Sequence, residues 1–155
     1  MRSARVVIVV TFLLLCLASF AQEQARPNFT GVWKLDLHRS ELSAAAPDTV
    51  TLYIHQNDPD FHLRSTEIRH GKSLAWSVHG RTDGKTLEYK NREGTRITHM
   101  YWQGEQLVLE VKNDSKRGDQ QQTVYRYSLA DDGRTLIASE KSNDHEARWV
   151  FTKSG

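Results

Sequence analysis

A single cysteine, Cys16, in 155 residues excludes an intrachain disulfide. Beyond residue 21 there is no long apolar run, so nothing there reads as an ordinary membrane-spanning helix. Charge of one sign is also missing. Arg2 and Arg5 are the only charged residues before Gln22, so the remainder carries 19 basic and 19 acidic residues, without a run of either. That removes the electrostatic footprint of nucleic-acid binding. No nucleophile elbow, His-Glu-x-x-His pair or phosphate-cradling glycine loop occurs. These absences point to a protein that is not an enzyme and needs no cofactor. Only three prolines and no sustained helical period interrupt what is otherwise a chain of short alternating segments.

What is present begins with a leader. Arg2 and Arg5 precede the apolar stretch Val6 to Leu17, and Ser19-Phe20-Ala21 sets small residues before Gln22. Residues 1–21 are expected to be a secretory signal peptide, with an uncleaved anchor as the alternative. Cys16 follows Leu15 where a lipobox needs a small residue, so lipidation is not expected. Cleavage would remove the only thiol and leave no membrane span. Residues 22–28 read as a polar arm, 29–155 as one domain, and the destination as periplasmic or extracellular.

From Thr30 onward ten strands are expected, at about 30–37, 49–56, 61–69, 73–81, 85–91, 95–102, 105–112, 121–130, 134–142 and 145–153. The separators are turn formers: His70-Gly71, Asp83-Gly84, Glu93-Gly94, Gln103-Gly104, Asp132-Gly133 and Asn143-Asp144, with Asn57-Asp58-Pro59-Asp60 as a longer turn. Residues 37–48 are the exception, with a short helix expected before Pro47, and 113–120 reads as irregular. Two-residue turns fix strand register, and one face then collects nearly all the large apolar side chains. Ten strands with one apolar face curl and close, which also removes exposed edges. The expected fold is all-β, a closed antiparallel meander barrel of eight to ten strands.

The head of strand one, Gly31-Val32-Trp33, and the repeated hairpins Asp83-Gly84-Lys85-Thr86-Leu87 and Asp132-Gly133-Arg134-Thr135-Leu136 carry a resemblance. Over about 29–153 the chain resembles the calycin superfamily of lipocalins and fatty-acid-binding proteins, most closely uncharacterised bacterial lipocalin-like domains. The resemblance implies that Trp33 packs inside the closed end beneath a basic residue of the last strand, Arg148 or Lys153. It also implies that the 37–48 connection lies over the cavity mouth as a lid. The Arg-x-Tyr carboxylate clamp of the fatty-acid binders is not matched, because Arg148-Trp149-Val150 stands there.

Alternate turns lie at opposite ends of a meander. One end is expected to be a greasy floor of Phe29, Trp33, Phe61, Trp102 and Phe151. Above it lies a waist of Trp76, Tyr89, Met100 and Tyr127. The other end has inward polar residues: Glu67, Asn91, Arg96, Tyr125 and Glu140, with Thr98 just below. The candidate ligand site is Glu67, Trp76, Tyr89, Asn91, Arg96, Thr98, Tyr125, Tyr127 and Glu140, an apolar pocket with converging polar groups. Three roles stay open for the rim: a solvated barrel end, an ion network of Glu67, Arg96 and Glu140, or Arg96 holding a ligand carboxylate. The expected partner is therefore a small, largely apolar ligand. The alternative is a solid barrel that acts as a protein-interaction or inhibitor module. Register also predicts an outward row of His55, His62, His79, Glu88 and His99. On a convex surface such side chains diverge, so His55, His62 and His79 are only weak metal candidates.

Overall fold

The computed structural model describes residues 26–42, 45–92, 94–130 and 133–155. The expected leader and most of the polar arm lie outside the described residues. Ten strands follow one another: β1 Gly31–Leu35, β2 Thr49–Asn57, β3 Asp60–Arg69, β4 Lys72–Arg81, β5 Asp83–Lys90, β6 Gly94–Gln103, β7 Gln106–Ser115, β8 Gln120–Ala130, β9 Thr135–Ser142 and β10 Glu146–Lys153. They form a single antiparallel sheet in the order β4-β3-β2-β1-β10-β9-β8-β7-β6-β5, rolled into a nearly closed barrel. Among the described residues no helix is long and apolar enough to cross a membrane.

Alternation drives the roll. In β2 the even positions Val50, Leu52, Ile54 and Gln56 are buried, and in β3 Phe61, Leu63 and Ser65 follow the same rule. Leu107, Leu109 and Val111 of β7 and Leu136 and Ala138 of β9 complete the inner face. The floor is the tightest part. Trp33 and Phe29 are fully buried, and the Trp33 indole donates to the Phe29 carbonyl at 2.8 Å. The Phe29 ring lies 6.0 Å from Trp102 and 6.3 Å from Tyr127. Arg26 lies over the Trp102 ring at 5.6 Å. The basic residue above Trp33 is Lys153, with Nζ 5.2 Å from the ring centroid, and the stem of Lys153 passes so close to Gly31 that a Cβ there would sit 2.8 Å from its Cε. The glycine of the Gly-x-Trp motif thus makes room for the lysine. Arg148 points the other way and donates to the Arg39 carbonyl.

Gln56 pins this plug. Its buried side chain accepts from the Phe29 amide at 3.0 Å and donates to the Pro27 carbonyl at 3.3 Å. Gln56→Ala leaves the Phe29 amide without its partner, and the expected cost is about 1–3 kcal/mol in a urea unfolding curve. A loss below 0.5 kcal/mol would show that water replaces the amide there without penalty.

Four expectations need correction. The segment after β1 forms no α-helix among its described residues. It makes one 3₁₀ turn, Leu37–Arg39, whose amides are capped by Asp36, and then runs beside β10 through the Glu41–Arg148 bridge. The Asp83-Gly84 pair is not a hairpin turn. Only Thr82 separates β4 from β5, no ladder joins them among the described residues, and the register of β5 on β6 shifts between Asp83 and Thr86. Gly84, at φ 78°, fits a bulge. The β5–β6 turn spans Asn91 to Gly94 rather than two residues, which moves Glu88 opposite Ile97 and His99 opposite Thr86. Finally, the irregular piece expected at 113–120 is shorter, 116–119, because β7 reaches Ser115 and β8 starts at Gln120.

The seam between β4 and β5 is sealed at the floor by side chains. Gly80 of β4 abuts Met100 of β6, whose Cε would lie 2.8 Å from an added Cβ. Thr82 ties the corner to the β2–β3 turn, donating to Pro59 O and Asp58 Oδ1 at 2.8 Å each. Towards the other end the seam is open, and Leu74 and Trp76 of β4 and Tyr89 of β5 are exposed.

Candidate ligand cavity

Above the floor the barrel encloses a cavity of about 280 Å³. Its apolar walls come from alternate residues of β2, β3, β9 and β10, among them Leu52, Leu63, Ala138 and Phe151. Trp76, Tyr127 and Trp149 add aromatic side chains. Leu42 and Ala45 of the 37–48 connection close part of the mouth, and Arg69 holds that strap by donating to the Ala45 carbonyl.

The polar groups converge at the mouth end. Glu140, at the inward parity of β9, accepts the Trp149 indole N–H at 2.8 Å on Oε2. On Oε1 it meets His145 Nε2 at 3.2 Å and the Tyr125 hydroxyl at 3.4 Å. His145 Nδ1 lies 2.7 Å from the Ser142 hydroxyl. A proton on Nε2 lets the imidazole donate to the Glu140 carboxylate. Glu67 of β3 pairs with Arg69 at 2.7 Å. The Glu140 and Glu67 side chains are 13% and 17% exposed, so both carboxylates are largely removed from water.

Burial, joined by the charge and hydrogen bond of Glu140, pushes the Tyr125 phenol well above its ordinary range. Burial does the same to Tyr127, followed by Tyr125 and Glu140. Both remain neutral phenols when folded. An unfolded tyrosine ionises near pH ~10, so above that pH the unfolded chain sheds protons that the native state keeps. Stability contributed by these phenols is complete below pH ~10 and is lost as pH rises further, by about 1.4 kcal/mol per pH unit for each. Urea midpoints between pH 9 and 11 should fall for the wild type and fall less steeply for Tyr127→Phe. Equal slopes would mean Tyr127 ionises while folded.

Of the nine candidate site residues, Glu67, Trp76, Tyr125, Tyr127 and Glu140 line this cavity. Tyr89, Asn91 and Arg96 lie in a separate shallow recess with Asn113 and Asp114. Arg96 donates to Asn113 Oδ1 at 3.0 Å, so of the three roles left open for the rim, the ion network of Glu67, Arg96 and Glu140 does not form among the described residues. Thr98 is buried apart from both, its hydroxyl 3.5 Å from the Leu87 carbonyl. The expected waist is only half enclosed: Met100 and Tyr127 are buried, whereas Trp76 is 39% and Tyr89 65% exposed along the open seam. Arg69, Trp149 and His145 were not among the candidates. Arg69 shares the parity of Glu67, and Trp149 pairs with Ala138 across β9–β10, so both carried a register signal. His145 sits in the last turn, where register says nothing.

The histidine row exists in part. His55 pairs with His62, and His62 with His79, their rings stacked 4.1 Å apart. Glu88 and His99 do not extend it, and His99 instead faces Glu110. Among the described residues no three metal-ligating side chains come together.

The meander, the Gly-x-Trp floor and the covered cavity define a lipocalin-like barrel of the calycin type. Solved structures of low sequence identity share this fold. Secretory abundant heat soluble protein 4 from Ramazzottius varieornatus is similar at 15% identity, covering 82% of this chain and 95% of that one, with a TM-score of 0.57. The wild-type fluorescent protein UnaG matches at 21% identity over 81% and 97%, TM-score 0.57. The REP1-NXSQ fatty acid transporter matches at 13% identity over 81% and 96%, TM-score 0.56. No family model and no curated protein matches the sequence.

Proposed function

We propose that this is a non-catalytic binding protein for a small, largely apolar ligand held in the barrel. The observation that carries the reading is the cavity of about 280 Å³, apolar in its walls and polar at one end. That volume lies at the small end of ligand pockets, so the ligand is smaller than a typical drug. Glu67, Trp76, Tyr125, Tyr127 and Glu140 are its contacts, joined by Arg69, Trp149 and His145. A fatty acid transporter among the structural neighbours is consistent with a carrier role. The apolar leader at 1–21 supports export to the periplasm or beyond, and N-terminal sequencing of the mature protein should then begin at Gln22.

Native mass spectrometry of protein purified from its own host tests the reading. One small molecule should copurify at a one-to-one ratio, and the emptied protein should take up an apolar fluorescent dye that the extracted molecule displaces. Failure of both would reject the carrier. A protein-interaction role has one feature in its favour: the open seam with exposed Leu74, Trp76 and Tyr89 between two unpaired strand edges. The cavity counts against its solid-barrel form.

A further inference from the structure

We propose that the ligand is an organic cation, an apolar ammonium whose body fills the cavity and whose head is received by Glu67 and Glu140. The inference rests on the carrier reading and adds the ligand's charge. Two largely buried carboxylates line the cavity, and among the described residues the only guanidinium lining it is Arg69. That guanidinium is already engaged, through Nε to Glu67 and through Nη1 to the Ala45 carbonyl. Arg96 lies outside the lining and is held by Asn113. The lining thus sets two carboxylates against one guanidinium that Glu67 already occupies. A carboxylate head would meet two like charges in a place of low dielectric, where such repulsion is least screened.

Each acid also keeps capacity for a donor. An ionised carboxylate offers about four lone-pair sites. Glu140 uses three, for Trp149, His145 and Tyr125, which leaves one on Oε2. Glu67 gives Oε1 to Arg69, and its second oxygen has no partner among the described residues. The walls suit the same guest. Trp76, Tyr125, Tyr127 and Trp149 line the cavity, and a cation is drawn to the negative face of an aromatic ring. Apolar walls for the body, rings beside the head and fixed carboxylates at the end describe a site for an ammonium better than one for an acid or an alcohol.

Three probes with one body and three heads decide it: phenethylammonium, 2-phenylethanol and phenylacetate, titrated calorimetrically into the purified protein at pH 7. Phenethylammonium should bind about tenfold more tightly than the alcohol, the step a charge-assisted hydrogen bond adds, and phenylacetate should bind most weakly. Glu140→Gln and Glu67→Gln should each weaken the ammonium about tenfold and leave the alcohol within about twofold. Glu67→Gln is the safeguard should Glu140→Gln disturb the Trp149 contact, and thermal melts of both show which variant is folded. Equal or tighter binding of the alcohol or the acid overturns the proposal, and so does no binding of any probe. Dye uptake and the copurified molecule report separately on whether the cavity is a carrier site at all.

Discussion

Trp33→Ala should lower the unfolding free energy by about 3–5 kcal/mol, among the larger costs a single substitution can carry. Trp33 is fully buried, and three interactions converge on it. Its indole donates to the Phe29 carbonyl, its ring lies under Lys153, and its backbone pairs with Leu52 and Lys153 on either side. Removing the ring leaves a void at the junction of β1, β2 and β10 that the surrounding sheet cannot collapse into. It also frees Phe29, whose ring stacks on Trp102. The check is a urea titration by circular dichroism: the midpoint should fall while the slope stays constant. Trp33→Phe, which keeps most of the volume but loses the donor, should cost less. A cost below about 1 kcal/mol for Trp33→Ala would mean that the floor is not a packed plug.

Most of the barrel was legible from alternation and turn chemistry. The pairs His55–His62, His62–His79 and Ala138–Trp149 follow from turns at 57–60, 70–71 and 143–144, because a short turn leaves one register open. The larger of the two register errors came at Asp83-Gly84. A positive-φ glycine after an acid serves a hairpin turn and a bulge equally well, and sequence does not distinguish them. Reading a hairpin there joined β4 to β5 and placed Trp76 and Tyr89 inside a closed wall. In the structure the two strands are the ends of the sheet, so the inward face of β5 and its neighbour Arg96 open to solvent. Arg69 was missed for a different reason. Its parity points inward, but a long basic side chain beside a turn reads as exposed, and only the position of Ala45 shows what it reaches.

The open seam makes it necessary to show that the interior is hollow where it matters, and Ala138→Phe does so. Ala138 is buried, pairs with Tyr127 on one side and Trp149 on the other, and lines the cavity between them. A phenyl ring at that position projects into the space of about 280 Å³. In a solid barrel the added ring forces neighbours off their rotamers, at about 1–3 kcal/mol or more. In a hollow one it fills space, and the unfolding free energy should change by less than about 1 kcal/mol. Ligand binding should behave in the opposite way. The ring occupies the volume the ligand body needs, so affinity for the apolar dye or phenethylammonium should fall about 100-fold or more, near 2.7 kcal/mol. Stability retained with binding lost locates the site beside Ala138. Stability lost with binding retained would place the ligand elsewhere on the barrel, with the exposed rings of Trp76 and Tyr89 at the seam as the next place to look.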